Sequence, residues 1–574
     1  MIYITLWSQA PAEISHGRED LGLSVNYKVA PVGQAAQVRA LLPRLPLLLL
    51  PLALFLALFH PATLDIGNAG WLIRGSDNGE NALGMHAWLH DPAPGMLRTH
   101  LLNAPEGVPL LFTDSNPLVG AATRPLASLL PADAQFVGPW ILLCLFLQVL
   151  FAWLLLRKFA PGPIALWCGV VLLAALPTLA NRYVHANLMA HWLILWALWR
   201  FLDPVRAGSN RGWAVMLLIA ALVHNYLLMM VGAIWLTAMV ERFAVADRRG
   251  RAVLAGGAAA ILAMVAGLAW LLGAGEAHAL AGNYGAFAMP IDAPINPGTP
   301  AYSRLLPSVA QRAGRGFEGF QYLGAGLLLL LPIAAVVARK RPPADDQRAL
   351  LRRLCWLVPA LVALSLLAIS NYPDIAGQML PRLPLPAFLI AALDLVRASG
   401  RLFWPVAYVL VLVAILAAYR LPRALADGLL AVLLAVQIVD LSGMAAVVRA
   451  QSAEAGAHRL YVLTPDPRWD RAVATASNVT FVPPDATRDL SLFQEIAWRA
   501  VGQGKPVRLV YAARDSIATV ERQRQELAAF AAGQIDPHRL YVLAPNVAVP
   551  AAAAERFTRI DNIPVILPVG ALTR

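Results

Sequence analysis

The sequence predicts an α-helical polytopic membrane protein with a soluble α/β domain at its C-terminal end. Three observations predict it. Of 574 residues, 59% are hydrophobic and only 14% are charged, far from the balance of a soluble globular chain. Uncharged windows that reach or approach the roughly 18 residues a bilayer helix needs recur as far as residue 447. Past residue 455 the pattern changes: short apolar runs alternate with amphipathic helical stretches, the signature of a small α/β domain with a largely parallel sheet.

The apolar windows run, in order, over 45–59, 140–156, 163–180, 188–199, 213–226, 227–240, 252–273, 322–338, 354–369, 403–418 and 429–447, which predicts about eleven spans. Within 213–240 only His224-Asn225 separates two of them. Residues 1–44 are too long, and lack a small-residue cleavage site, for an ordinary signal peptide. The window 45–59 therefore reads as a retained anchor, and 1–44 as a cytoplasmic tail.

The net charge of +12 is compatible with a nucleic-acid binder, but its distribution argues against one. Lys and Arg gather in alternate loops: Arg39 and Arg44, Arg157-Lys158, Arg200 to Arg211, Arg242 to Arg251, Arg339 to Arg353, and Arg420 and Arg423. Excess Lys and Arg mark the cytoplasmic side. With an odd number of spans, this places the N-terminus inside and the C-terminal domain outside. The organisation is a tail at 1–44, a transmembrane module at 45–447 with long outer loops at 61–138, 274–321 and 370–402, and an extracytoplasmic α/β domain at 455–574. Cys144, Cys168 and Cys355 all lie in or beside spans, so no disulfide framework is expected.

In the C-terminal domain, 459–463, 479–482, 507–511, 540–543 and 565–567 read as strands, and 490–501 and 517–532 as helices. His458-Arg-Leu-Tyr-Val-Leu463 recurs as His538-Arg-Leu-Tyr-Val-Leu543. Either two related strand–helix–strand halves are present, or similar strands draw on the same residue types. No Gly-rich phosphate loop is present, so no nucleotide site is assigned.

Long polar loops on one face suggest a site at that face. The first outer loop carries Asp65, Asp77, Glu80, Asp91, Glu106, Asp114 and Asp133. Asp77 falls in a Gly-Ser-Asp turn at the expected start of a helix over 79–88, where backbone donors position a carboxylate. Asp114 falls in Thr113-Asp114-Ser115-Asn116-Pro117, a turn tied to its own backbone. Such an acid serves either as a base within reach of a hydroxyl or, with a second acid, as an oxygen ligand to a divalent metal ion; both roles stay open for Asp77 and Asp114. A second set lies at the outer ends of spans: Arg182, His185, His191, His224 and Tyr226. Ionisable groups there are costly and default to functional candidates. Arg397 and Arg401, outside against the charge bias, match phosphate oxygens with their planar forks, or pair with Glu318 or Asp394.

Several ordered segments resemble the GT-C superfamily of polytopic membrane glycosyltransferases, and within it a bacterial branch. They are Leu64-Asp65 with Trp71 and Gly75-Ser-Asp77; Phe112-Thr-Asp-Ser-Asn-Pro-Leu118; Arg182, His185 and Ala190-His191-Trp192; His224-Asn-Tyr226; Tyr284-Gly285; Glu318-Gly-Phe-Gln-Tyr-Leu-Gly324; and Arg397-Ala-Ser-Gly-Arg401-Leu-Phe-Trp-Pro405. The branch commonly reads Gly-Asp where this chain has Gly75-Ser76-Asp77, and has Pro where this chain has Asn225. The resemblance implies a multi-pass protein of a bacterial cytoplasmic membrane, with its C-terminal domain in the periplasm. It implies a polyprenyl-phosphate-linked sugar donor, used at the outer face, and a glycan or lipid acceptor. It also implies an acid in the first loop as catalytic base, which maps best onto Asp77. Substrate contacts are then expected from Asp65, Glu80, Arg182, His185, His191, His224, Tyr226, Glu318, Arg397 and Arg401, with membrane lipids as surroundings and no nucleic acid. Arg74, three residues before Asp77, is expected to keep it ionised. The competing readings are a transporter or flippase for a lipid-linked sugar, and a non-catalytic scaffold of envelope polysaccharide assembly.

Overall fold

A computed structural model describes residues 45–276, 284–512 and 514–571. The expected cytoplasmic tail, 1–44, lies outside the described residues, as does part of the second outer loop. Residues from Pro46 onward form one compact unit.

Each of the eleven apolar windows lies on a helix, but the helices differ in reach. Among the described residues, six helices are long and apolar enough to cross a membrane: Val137–Leu156, Asn225–Val245, Arg248–Ala274, Asp345–Ile369, Ser399–Ala418 and Arg423–Ala457. Pro46–Leu58, Pro163–Ala174 and Asn210–Val223 are apolar but shorter. Two windows shrink in the same neighbourhood. The expected span 163–180 stops at Ala174, because Pro177 disfavours helix at Leu176 before it. The next helix, Trp192–Phe201, has 10 residues, about 15 Å of rise against a hydrocarbon core of about 30 Å. Between them runs an irregular stretch carrying Arg182, His185 and Asn187. Backbone without helical hydrogen bonds persists in a buried stretch where other protein groups satisfy it. Here Asn181 donates to the carbonyl of Phe317 at 3.0 Å and accepts from the Tyr302 hydroxyl at 3.1 Å.

The pair inside 213–240 does separate at His224. Its backbone is extended (φ −170°, ψ 136°), and its Nδ1 accepts the Tyr226 N–H at 3.2 Å, so the residue ends one helix and caps the next. On Arg423–Gln451, buried Asp440 accepts from the Tyr322 hydroxyl at 2.7 Å and the Ala325 N–H at 2.8 Å, and pairs with Ser303. This carboxylate ties the loop that ends at Gly324 to the bundle, and so fixes the height of Glu318.

Among the described residues the C-terminal domain has four strands, β1 (Val479–Val482), β2 (Leu540–Leu543), β3 (Phe557–Ile560) and β4 (Ile563–Ile566), in the order β1-β2-β4-β3. Only β1 and β2 run parallel; β2–β4 and β4–β3 are antiparallel. The sheet is therefore mixed, not largely parallel: the tight turn at Asp561-Asn562, both at positive φ, returns the chain as a hairpin. The expected strand at 507–511 is reduced to one parallel bridge, Val479 to Val507. The expected strand at 459–463 is not a strand. The buried Glu495 carboxylate takes the N–H groups of Val462, Leu463 and Thr464 instead. The repeated hexapeptide thus adopts two different structures and does not mark two equivalent halves. The expected helices are present as Leu490–Gly502 and Ile517–Ala531.

This domain docks on the first loop through the backbone as well as side chains. Val507 N–H donates to Leu101 at 2.8 Å, and Ala104 N–H to Val507 at 3.0 Å. Trp498 donates to Asp133 at 2.8 Å, and Arg522 pairs with Glu106 at 2.7 Å.

Candidate functional site

The first acid lies on the helix Asp77–His90. Ser76 caps it by accepting the Gly79 N–H at 3.3 Å, which places Asp77 and Glu80 in the first turn, three residues apart and on one side. Two asparagines on the same helix aim it. Asn78 donates to the Tyr183 carbonyl at 2.8 Å and accepts the Ala186 N–H at 2.9 Å. Asn81 and Asn187, the latter at 2.7 Å, both donate to the Asp114 carbonyl. Asp114 itself adopts the left-handed region at φ 53°, a conformation that Asp and Asn tolerate better than most residues. The turn also needs Gly84, where a Cβ would come within 2.0 Å of Thr113 Oγ1. Loop and helix are thus stitched together by amide side chains, and Asp77, Glu80, Asp114 and His185 meet.

His185 stands at the centre. Its Nε2 is 3.7 Å from Asp114 Oδ2 and 3.9 Å from Asp77 Oδ2, and its ring meets His224 edge-on at 5.7 Å. Beyond it lies an ion network. Glu318 accepts Arg182 at 2.8 Å and is gripped by Arg401 through both oxygens, at 2.8 and 2.7 Å. The Arg401 guanidinium covers the Tyr226 ring at 4.8 Å, and the Tyr226 hydroxyl accepts the Ala398 N–H at 2.6 Å. Arg397 lies over Phe287 at 4.6 Å.

The two groups of charges behave differently. Burial, then Asp77 beside it, pushes the Asp114 carboxyl up to about 7. Burial, then Asp114 and Asp77, pushes Glu80 well above the usual range; its two oxygens are buried with no hydrogen-bond partner among the described residues. Burial and then Glu318 raise Asp77, against the opposing pull of Arg401, Arg182 and Arg397. His185 is pushed down to about 3 by burial and then by Arg401, so its imidazole is neutral. Burial also acts to raise Glu318, but Arg401 and Arg182 outweigh it and hold that carboxyl well below its ordinary value.

Residues 48–442 match the family described as a domain of unknown function, DUF6311, and residues 468–568 match its C-terminal domain. The chain belongs to the DUF6311 family. No curated protein and no solved structure matches it.

Every residue of the cluster lies in the main DUF6311 segment, yet the C-terminal DUF6311 segment holds one wall in place. Gln494, fully buried, accepts the Gly75 N–H and donates to the Ser76 carbonyl, both at 2.9 Å. Gly75, at φ +76°, leaves no room for a side chain, since a Cβ would meet Ser491 Oγ at 2.5 Å. The amide therefore clamps the two residues before Asp77. The phenol of Tyr511, from the same segment, is pushed up to about 12 by burial and then by the charges of Asp77, Asp114 and Glu80.

Three expectations need correction. Arg74 does not face Asp77; its guanidinium turns to the C-terminal domain, reaching Glu454 at 2.9 Å and Glu495 at 3.3 Å. Asp65 stands apart from the cluster, half-exposed, accepting the Gly67 N–H at 2.9 Å and facing His458 at 3.8 Å. His191 does not converge with the others: it is fully buried, its ring tilted against Trp404 at 4.1 Å and bonded to the Tyr408 hydroxyl at 2.9 Å. Glu80, Arg182, His224, Tyr226, Glu318 and Arg401 gather around His185 as expected, whereas Arg397 is exposed and lies over Phe287. Sequence reasoning missed Asn78, Asn81, Asn187, Gln494 and Tyr511. The spacing of Asn78 and Asn81, on one side of an acidic helix start, was the one available signal; nothing local marks Gln494 or Tyr511.

Proposed function

We propose that this chain is a membrane-bound, inverting glycosyltransferase. It moves a sugar from a polyprenyl-phosphate donor to an envelope or lipid acceptor at the outer face of the membrane. One observation carries the reading: carboxyl groups without cationic partners stand against a guanidinium cluster that holds more positive charge than its single carboxylate neutralises. Asp77 takes the proton of the acceptor hydroxyl; burial raises its proton affinity above that of an ordinary carboxylate, as a general base requires. The acceptor oxygen bonds to the anomeric carbon, the bond from that carbon to the phosphate oxygen breaks, and the lipid phosphate leaves with the electron pair. Arg182, Arg401 and Arg397 supply charge-assisted hydrogen bonds where that negative charge develops. The outer-face placement rests on the loop charge pattern, and six apolar helices support membrane residence.

The test is a panel of labelled polyprenyl-phosphate sugars offered to the purified full-length protein in proteoliposomes with envelope lipid extract. Release of polyprenyl phosphate matched by label in the acceptor fraction, abolished in Asp77→Asn, is the expected result. Labelled donor crossing the bilayer with its phosphate bond intact would identify a transporter and overturn the reading. A panel in which no donor is consumed would overturn it as well.

A further inference from the structure

The side chains of Asp114, His185 and His224 come from three separated elements: the turn after the helical segment Leu110–Thr113, the irregular stretch after Ala180, and the break between Val223 and Asn225. Each offers one ligand atom, and the three atoms lie within 4.8 Å of one another. His185 is buried, while Asp114 and His224 are partly open. A fourth group points to a ligand independently. Glu80 is fully buried, yet neither carboxylate oxygen has a hydrogen-bond partner among the described residues. Its neighbours are two further acids, Asp114 and Asp77. A buried carboxylate without a partner is costly unless a cation or a proton joins it. The charge of Arg401 acts on Asp114, but its guanidinium pairs with Glu318.

We propose that Asp114, His185 and His224 bind a single divalent transition-metal ion, zinc above all, whose charge also offsets the buried Glu80 carboxylate. Two imidazoles and one carboxylate are the donor set of zinc sites that keep a position open for water or substrate. Magnesium and calcium take all-oxygen shells and do not suit two histidines. The metal site foreseen on Asp77 and Asp114 is thereby relocated: the histidines replace Asp77, which stays free for acid–base work. Ligand atoms about 2.0–2.2 Å from zinc are about 3–3.6 Å apart, so the side chains close inward when the ion enters. His224 then gives up its long capping bond from Tyr226 N–H. The ion's place in catalysis rests on the transfer reading above; its binding does not.

Binding is tested without any transfer assay. Purified full-length protein, free of polyhistidine tag and stripped with chelator, is titrated with zinc against a chromophoric competitor, and separately with cobalt. One zinc per chain is expected at micromolar or tighter affinity, and cobalt is expected to give visible absorption typical of nitrogen and oxygen ligation. His185→Asn and His224→Asn should each weaken zinc binding at least about 10- to 100-fold and erase the cobalt bands; Asp114→Asn should weaken it comparably. The cobalt spectrum of the unaltered protein guards against a variant that fails to fold. Absence of zinc binding and of cobalt bands in the unaltered protein would overturn the proposal. So would stoichiometric zinc retained by a folded His185→Asn, His224→Asn double variant. Zinc bound without transfer activity would leave the site standing and count against the glycosyltransferase reading.

Discussion

The acid wall and the ion network occupy one neighbourhood and are built on opposite principles. Around Glu318, one carboxylate is met by Arg182 and Arg401 at 2.7–2.8 Å, and its pKa falls. Around Asp77, Glu80 and Asp114, carboxyls are brought together with a neutral imidazole between two of them, and their pKa values rise. Both groups are largely buried, so burial alone does not distinguish them; the supply of partners does. A paired carboxylate is held in one charge state and serves as scaffold. Unpaired ones have raised proton affinity, and Asp114, near 7, exchanges its proton at neutral pH; such groups concentrate at functional sites. The walls also differ in what holds them. Asp440, on a bundle helix, anchors the loop that presents Glu318, whereas Gln494 of the C-terminal domain clamps the turn before Asp77.

The largest break in this contrast should come from Asp77→Asn. Loss of a positioned base typically lowers the rate by about 10²–10⁴-fold, so transfer should nearly vanish while donor binding, measured by equilibrium dialysis of labelled lipid, stays unchanged. Near-normal turnover would remove Asp77 from the acid wall's function and move the role to Asp114.

Glu318→Gln attacks the other wall. It leaves Arg182 and Arg401 buried without a carboxylate, and breaking a buried ion network by removing one partner costs about 3–5 kcal/mol. A marked drop in the thermal midpoint in detergent is expected, together with weaker donor binding. An unchanged midpoint would show that the network contributes nothing to the fold.

Gln494→Ala probes the clamp. It leaves the Gly75 N–H and Ser76 carbonyl without their partner, at a cost of about 1–3 kcal/mol. Turnover should fall by less than in Asp77→Asn, with KM little changed, because the base is displaced while the donor arginines are untouched. A rise in KM with normal kcat would instead place Gln494 in substrate binding.

The smallest effect is a pH dependence of stability. Glu318 has a folded pKa below its unfolded value of about 4.3. Its contribution is therefore complete above about pH 5 and is lost as pH falls toward the folded value. Between pH 6 and pH 3.5 the thermal midpoint of the unaltered protein should fall more steeply than that of Glu318→Gln. Parallel curves would contradict the pairing.

Hydropathy made the helices legible, because an apolar run must bury itself wherever the rest of the chain goes. All eleven windows lie on helices, and the break at His224-Asn225 is where a lone polar pair interrupted an apolar stretch. The extent of each helix was less legible. Pro177 shortened one, and irregular backbone took the residues expected to prolong the next. In the C-terminal domain, local pattern located the helices and three strands, but the hexapeptide at 458–463 shows its limit. The Leu-Tyr-Val-Leu that forms β2 at 540–543 lies off the sheet in the first copy, at 460–463, where Glu495 takes the N–H groups of Val462 and Leu463.

Residue types along the chain were enough to nominate Asp77, Asp114, His185, His224, Glu318 and Arg401, since charged groups beside apolar helices are rare and conspicuous. Which of them meet is a property of the packed chain alone. Arg74 lies three residues from Asp77 and turns away, while Arg401, more than three hundred positions later, acts on it. Coulomb forces and hydrogen bonds follow distance in space, and distance in space is set by tertiary packing. Only that packing sends His191 behind Trp404, brings Gln494 to the turn before Asp77, and leaves Glu80 buried without a partner.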